Sequence, residues 1–280
     1  MFYLLKSFIQ MKILLNNNDL NEALYSVSSL GFVPTMGSLH KGHISLIKKS
    51  LRECGQTIVS IFVNPTQFNN KSDYKKYPRN NKKDLSILKK LKVDFVYLPK
   101  KEHVYNSKFK IKYKLIKKEK ILCAKYRKGH FEGVIDVMSR LTKIIKPSKI
   151  YMGEKDLQQF LLVKKYIKKN SKTDFVCCKT IREKNKLALS SRNLLLKKKN
   201  FKIAGYIANN LIYFKKKLIN KKNLKQLIID KKKELEELHH IDIEYLELRN
   251  KKNLSLINSI NDSKIFIAYY LNKVRLIDNF

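Results

Sequence analysis

The chain predicts an α/β fold, a parallel sheet with packed helices followed by a smaller C-terminal α/β domain. Two observations carry this. Apolar, β-branched runs alternate with helical patterns through the first two-thirds of the sequence, and such alternation builds right-handed βαβ units. After about Asn193 the texture changes to lysine-rich helices followed by alternating apolar runs.

In order, residues 12–15 read as a first strand, and 30–33, 57–63, 95–98, 149–152 and 174–178 as buried strands. Helical spacing of apolar residues marks 44–51, 80–91, 133–145 and 157–167. Two further helices are expected at 201–219 and 224–238, the first with Ile203, Ile207, Leu211, Phe214 and Leu218 on one stripe. Alternating runs at 241–248, 265–270 and 274–277 then suit a small sheet. The expected division is 1–180 and 181–280, placed by this change of pattern, since no long Gly/Ser/Pro linker separates the parts.

At 280 residues and 44% hydrophobic content the chain has material for a sizeable core. The four cysteines, Cys54, Cys123, Cys177 and Cys178, form neither a disulfide framework nor a zinc pattern, which fits a reducing cytoplasm. Residues 1–15 lack the continuous apolar core and small-residue cleavage site of a signal peptide; those before Met11 read as an extension or a misassigned start, and Met11 leads into the first strand. No run is long enough to span a bilayer, and no membrane partner is expected. A net charge of +38 raises nucleic acid as a partner. The lysines, however, spread over helix faces along the whole chain, as at 197–199, 215–217 and 231–233, which favours a solvated surface over a specific nucleic-acid site.

Residues 31–44 read Gly-Phe-Val-Pro-Thr-Met-Gly-Ser-Leu-His-Lys-Gly-His-Ile. A strand that breaks at a glycine turn and opens a helix is expected to aim free backbone N–H groups at a ligand, with the helix dipole adding positive charge. His40 and His43 fall three residues apart with Gly42 between them, a spacing suited to a polyphosphate and also used for metals. Four more stretches place polar groups where strands or turns end. Asn64-Pro65-Thr66-Gln67 presents two amides or makes a simple turn. Gly129-His130-Phe131-Glu132-Gly133 opens a helix with a ligand-facing or structural histidine. Gly153-Glu154-Lys155-Asp156 offers a lysine for phosphates and an aspartate for Mg²⁺, or ordinary helix-cap chemistry. Gln159 follows one turn later. Ser190-Ser191-Arg192 forms a hydroxyl and guanidinium clamp, or an N-cap.

Taken together and in order, 34–43, 62–68, 77–79, 129–134, 153–159, 189–193 and Val274-Arg275-Leu276-Ile277-Asp278-Asn279 resemble the pantothenate synthetase family across nearly the whole chain. That resemblance implies a Rossmann-like nucleotidyltransferase domain with a small C-terminal lid, and a cytoplasmic homodimer. The implied reaction joins pantoate to β-alanine, with ATP cleaved to AMP and pyrophosphate through a pantoyl-adenylate. ATP and Mg²⁺ are the implied nucleotide and metal.

Carried onto this chain, the resemblance places Met36, Gly37, Ser38, Leu39, His40, Lys41, Gly42 and His43 along ATP, with the imidazoles at the phosphates and His43 as the acid assisting transfer. Gly153, Glu154, Lys155 and Asp156 would also bind ATP, Lys155 acting on the α-phosphate and Asp156 on the metal. Ile181 would meet adenine through its backbone, and Leu189, Ser190, Ser191 and Arg192 would close over the phosphates. Gln67 and Gln159 would hold pantoate, with Gln67 also beside β-alanine. The family's Glu-Gly-x-x-Arg-Pro segment is Cys123-Ala124-Lys125-Tyr126-Arg127-Lys128 here, keeping only the arginine, and Asp136 stands where a small neutral residue is common. The rivals are another nucleotidyltransferase of the same superfamily, against which the paired glutamines argue, and a nucleic-acid binder.

Overall fold

A computed structural model describes residues 10–69, 71–105, 113–239 and 241–280; the expectation about the residues before Met11 lies, for 1–9, outside the described residues. Six parallel strands form the main sheet: β1 (Lys12–Leu14), β2 (Leu30–Thr35), β3 (Gln56–Ile61), β4 (Phe95–Tyr97), β5 (Lys149–Gly153) and β6 (Asp174–Cys178), in the order β1-β4-β3-β2-β5-β6. Three antiparallel strands, β7 (Asp242–Asn250), β8 (Ser263–Leu271) and β9 (Val274–Asn279), form the second sheet.

The helices are α1 (Asn17–Leu24), α2 (Lys41–Glu53), α3 (Lys71–Lys76), α4 (Asn81–Lys90), α5 (Lys101–Val104), α6 (Cys123–Tyr126), α7 (His130–Ile145), α8 (Leu157–Lys168), α9 (Lys198–Lys217) and α10 (Leu224–His239). Among the described residues no helix is long and apolar enough to cross a membrane. The expected elements recur with ends moved by a few residues; α7, for example, starts at His130 rather than Gly133, and β6, expected as a buried strand, is an edge strand with Asp174 and Cys177 exposed and only Cys178 buried. The short helices escape hydrophobic periodicity because they bury little. In α1 only Leu20 is buried, and the Asn16 side chain, accepting from the amides of Asn18 and Asp19, fixes its start.

Side-chain alternation divides the main core into two faces. Phe32, Ile58 and Phe95 join the cluster under α7 and α8, while their neighbours Val33, Val59 and Val96 join α2 and α4 on the other side. Gly31 admits α2 closely, because a Cβ there would overlap the Ser50 hydroxyl. A separate cluster, including Ile207, Leu211, Leu235 and Ile265, fills the space between α9, α10 and the second sheet.

Strand order reverses between β2 and β5, which pair at Gly31–Lys149 and Phe32–Ile150. Their carboxyl ends, Thr35 and Gly153, therefore open side by side at the switch point where α/β sheets collect ligands. The second sheet is tied to this place. Asp278 on β9 accepts two hydrogen bonds from Arg182 (2.6 and 2.9 Å), and the buried Asn279 donates Nδ2 to the carbonyls of Glu154 (2.8 Å) and Lys155 (2.9 Å). Burial pushes the Asp278 carboxyl up, and the Arg182 guanidinium opposes that shift. Replacing Arg182 with Met strands a buried acid, so Arg182→Met is expected to cost on the order of 3 kcal/mol in urea unfolding; a loss under 1 kcal/mol would show the pair to be dispensable.

Candidate active site

The turn after β2 is held from behind. Gly37 takes φ +79° and Ser38 φ +53°, and the chain then folds back onto α4. The Thr35 hydroxyl donates to the Ser60 carbonyl (2.7 Å) and accepts from the Gly37 amide (3.1 Å). The buried Asp84 carboxylate accepts the amides of Ser38 (2.7 Å) and Leu39 (2.8 Å). These bonds correct the expectation of free amides pointing at a ligand: with His40 and Gly42 N–H also engaged, five amides of the turn are satisfied inside the protein. A polar strand end surrounded by apolar core must pair its N–H groups, and here side chains supply the acceptors.

His40 is the N-cap of α2, in extended conformation, with Nδ1 accepting from the Gly42 amide (3.1 Å); His43 Nδ1 accepts from the His40 amide (3.3 Å). Gly42 is required here because a Cβ would press on the His40 ring. The rings lie 4.1 Å apart. With both Nδ1 atoms accepting, each neutral ring carries its proton on Nε2, which has no hydrogen-bond partner among the described residues. Burial, then Lys155, draws His40 down to about 4, with Asp156 pulling the other way. Burial, His40 and Lys155 draw His43 down to about 3. At neutral pH both rings are uncharged N–H donors.

Gln67 sits in a short 3₁₀ turn, Pro65–Gln67, built on the buried Asn64. Asn64 Oδ1 accepts from the Thr66 amide and hydroxyl and from Tyr105 OH (2.7 Å), and its Nδ2 donates to Gln67 Oε1 (3.2 Å) and the Gly133 carbonyl. Gly133 has no room for a side chain, since a Cβ would overlap the Thr66 carbonyl, so α7 presses directly on the turn. His130 Nδ1 meets the Gln67 carbonyl at 2.6 Å and its Nε2 meets Arg127 Nη1 at 2.8 Å. Burial and Arg127 draw His130 down to about 3. Asp136 does not border the cleft and pairs with Arg140 (2.8 Å), whose guanidinium lies over the Tyr105 ring.

A cavity of about 820 Å³ brings most of the expected residues together: Met36, His40, Gly42, His43 and Gln67 from one side, Gly153, Lys155, Asp156 and Gln159 from another, and Ile181 with 189–192 across the top. Gly37, Ser38, Leu39, Lys41 and Glu154 do not border it; Leu39 is buried in the core and Glu154 pairs with Lys264 (3.2 Å). Lys155 Nζ stands 3.5 Å from the Asp156 carboxylate. In the 189–192 segment Ser190 caps a 3₁₀ turn, the Ser191 hydroxyl donates to the Ser38 carbonyl (3.3 Å), and Arg192 pairs with Asp73 on α3 (2.9 Å). The N-cap reading of this segment holds, and the segment borders the cavity. Gln158, next to Gln159, instead donates to the Ile121 carbonyl (2.7 Å). Sequence reading missed Asp84 altogether, and named Asn64, Arg127 and Asn279 without their partners Tyr105, His130 and the Glu154 and Lys155 carbonyls. The signal for Asp84 was a lone acid facing the apolar stripe of its helix.

A parallel sheet whose switch point opens into a cleft bordered by two uncharged imidazoles, a lysine and an arginine defines an α/β enzyme. The family model described as Pantoate-beta-alanine ligase matches residues 11–280, and the chain belongs to that family. The chain is 38% identical over 260 residues to pantothenate synthetase of Thermosipho africanus, covering 92% of this chain and 94% of that protein. Its fold matches a crystal structure of pantothenate synthetase from Thermus thermophilus with TM-score 0.89 and 29% identity, covering 96% and 99% of the two chains. The pantoate-β-alanine ligase of Francisella tularensis, solved in complex with β-γ ATP and β-alanine, matches with TM-score 0.80 and 37% identity over 96% of this chain and 97% of that one.

Three imidazoles with depressed values link the cleft to stability. A histidine whose folded value lies below the usual 6.5 contributes stability present above pH 6.5 and lost as pH falls towards its folded value, here between 6.5 and about 3–4. In a proton NMR titration from pH 8 to 5, at least three of the six histidines are expected to keep neutral chemical shifts. Six titrations with midpoints near 6.5 would contradict this cleft.

Proposed function

We propose that this chain activates the carboxylate of pantoate by transfer of AMP from ATP and then passes the acyl group to β-alanine, releasing AMP and pyrophosphate. The observation that carries the reading is the meeting of His40, His43, Gln67, Lys155 and Gln159 in one cavity, in a chain of the pantoate-β-alanine ligase family. A carboxylate is a poor electrophile until one of its oxygens belongs to a good leaving group; adenylation supplies that group, and the amine then attacks the acyl carbon.

Each site residue has a role in these two steps. His40 and His43 offer Nε2–H to phosphate oxygens. Being uncharged, they donate without the strong ground-state ion pair an imidazolium would form, so their bonds strengthen as negative charge shifts onto pyrophosphate. His43 is the group assisting transfer. Lys155 stabilises charge around the α-phosphate, and Leu189, Ser190, Ser191 and Arg192 close over the remaining phosphates. Met36 and the 37–42 turn support the nucleotide, with Ile181 beside adenine. Gln67 and Gln159 orient pantoate by hydrogen bonds.

Mg²⁺ is assigned to the nucleotide, with Asp156 as its protein carboxylate. Among the described residues no group of three His, Cys, Asp or Glu could enclose a metal. One part-exposed acid beside a phosphate site nonetheless suits an ion that keeps its water and takes most other ligands from phosphate oxygens. When bound, that ion would neutralise phosphate charge. Residues 1–180 are assigned to ATP and pantoate, and 181–280 to a lid and dimer-associated unit; the family resemblance supports a homodimer working in the cytoplasm.

His43→Ala is expected to lower turnover by about two to four orders of magnitude with the fold intact, followed as AMP formed from ATP, Mg²⁺, pantoate and β-alanine. Normal turnover would remove His43 from this role, and no AMP from the unmodified protein would overturn the reading as a whole.

A further inference from the structure

Arg127 is the cleft cation without an acidic partner of its own. Its Nη1 meets His130 Nε2 at 2.8 Å and its Nη2 lies 3.5 Å from the Gln67 carbonyl. The other guanidiniums bordering the cleft are committed, Arg192 to Asp73 (2.9 Å) and Arg275 to Glu244 (2.6 Å). No carboxylate pairs with Arg127 among the described residues, and the remaining residues of the sequence contain no Asp or Glu. Lys76, Lys179 and Lys273 also border the cavity, but they are exposed and solvated.

A part-buried guanidinium with a solvated face in a cleft is costly unless an anion completes it. Burial, and then Arg192 and Arg275, pull Arg127 down to about 10, so it stays charged at neutral pH. His130 fixes the fork: with Nδ1–H donating to the Gln67 carbonyl, its Nε2 lone pair accepts from Arg127, and the ring remains neutral. This leaves the other guanidinium N–H groups for a planar oxyanion, the geometry that a carboxylate meets with two parallel bonds.

We infer that Arg127, held by His130 against the Gln67 carbonyl, is the anchor for the carboxylate of the amine substrate, an ω-amino acid. The inference rests on the function proposed above. In that reaction two carboxylates enter the cleft. Pantoate's is consumed at the α-phosphate beside Lys155 and the histidines, whereas β-alanine's is carried unchanged into the product and needs a permanent cation. Arg127 lies on the Gln67 wall, and its neighbour Arg192, near enough to act on it, is already paired with Asp73. Fixing the carboxylate there directs the amine, two methylenes away, past the Gln67 side chain towards the acyl carbon. Arg127 thereby selects amines that bear an acid at the far end.

The test separates the two half-reactions. Pantoate-dependent exchange of pyrophosphate with ATP needs no β-alanine, while amide formation does. In Arg127→Met the KM for β-alanine is expected to rise about 30-fold or more, with the KM for ATP and pantoate in the exchange assay within threefold of the unmodified protein. The preference for β-alanine over its neutral amide, 3-aminopropanamide, should collapse in the same variant. Arg127→Lys keeps the charge without the fork, and is expected to raise the β-alanine KM about tenfold; it carries the test if the Met variant does not fold. An unchanged β-alanine KM overturns the inference. So does an equal rise for all substrates, which marks a structural role, or a rise for ATP alone, which makes Arg127 a phosphate ligand. Absence of exchange in the unmodified protein would instead sink the proposed function.

Discussion

Asp84 sets the geometry on which the cleft depends. Its buried carboxylate takes the amides of Ser38 and Leu39, and so forces the chain leaving β2 through two residues of positive φ before α2 begins. Charge-assisted bonds of this kind are strong where solvent is excluded. The turn thus ends with His40 as N-cap rather than as the first helical residue, and His43 closes the cap by accepting the His40 amide. Two side chains that would otherwise rotate freely become fixed donors. Their uncharged state follows from the same burial, reinforced by Lys155.

Around that turn the cleft is assembled from separately supported walls. Asn64 and His130 hold the Gln67 turn, the first through side-chain bonds and the second through its carbonyl. Asn279, from the last strand of the second sheet, holds the carbonyls of Glu154 and Lys155. The chain's end therefore reaches back to the loop at the end of β5. A reactive geometry demands this support, since displacement of a catalytic group by an ångström costs orders of magnitude in rate.

Much of this was legible in the sequence where a residue's chemistry and its position coincide. The inner strands β2, β3 and β4 announce themselves because both faces are covered, which leaves continuous apolar runs. His40, His43, Gln67, Lys155 and Gln159 follow the ends of β2, β3 and β5, where a polar residue is conspicuous, and Arg192 stands in a turn of its own. Asp84, Asn64, Arg127 and Asn279 were not legible in the same way. Each acts on backbone or side-chain atoms from distant parts of the chain, as Asn279 does on Lys155 across 124 residues, and nothing local marks such a partner. The expected free amides failed partly for the same reason, since Asp84 meets the Ser38 and Leu39 amides only once α4 packs on the turn, while Thr35, His40 and His43 accept the remaining ones locally. On α9, Lys198, Lys199, Lys202, Lys216 and Lys217 are exposed, as a solvated helix face requires.

The measurement that bears most directly on this account is pyrophosphate exchange by Asp84→Ala. With its two amides released, the turn is expected to lose the fixed imidazoles, and pantoate-dependent exchange to fall about 100-fold or more, while circular dichroism and a cooperative thermal transition persist. Exchange at the level of the unmodified protein in that folded variant would contradict the claim that this carboxylate builds the site.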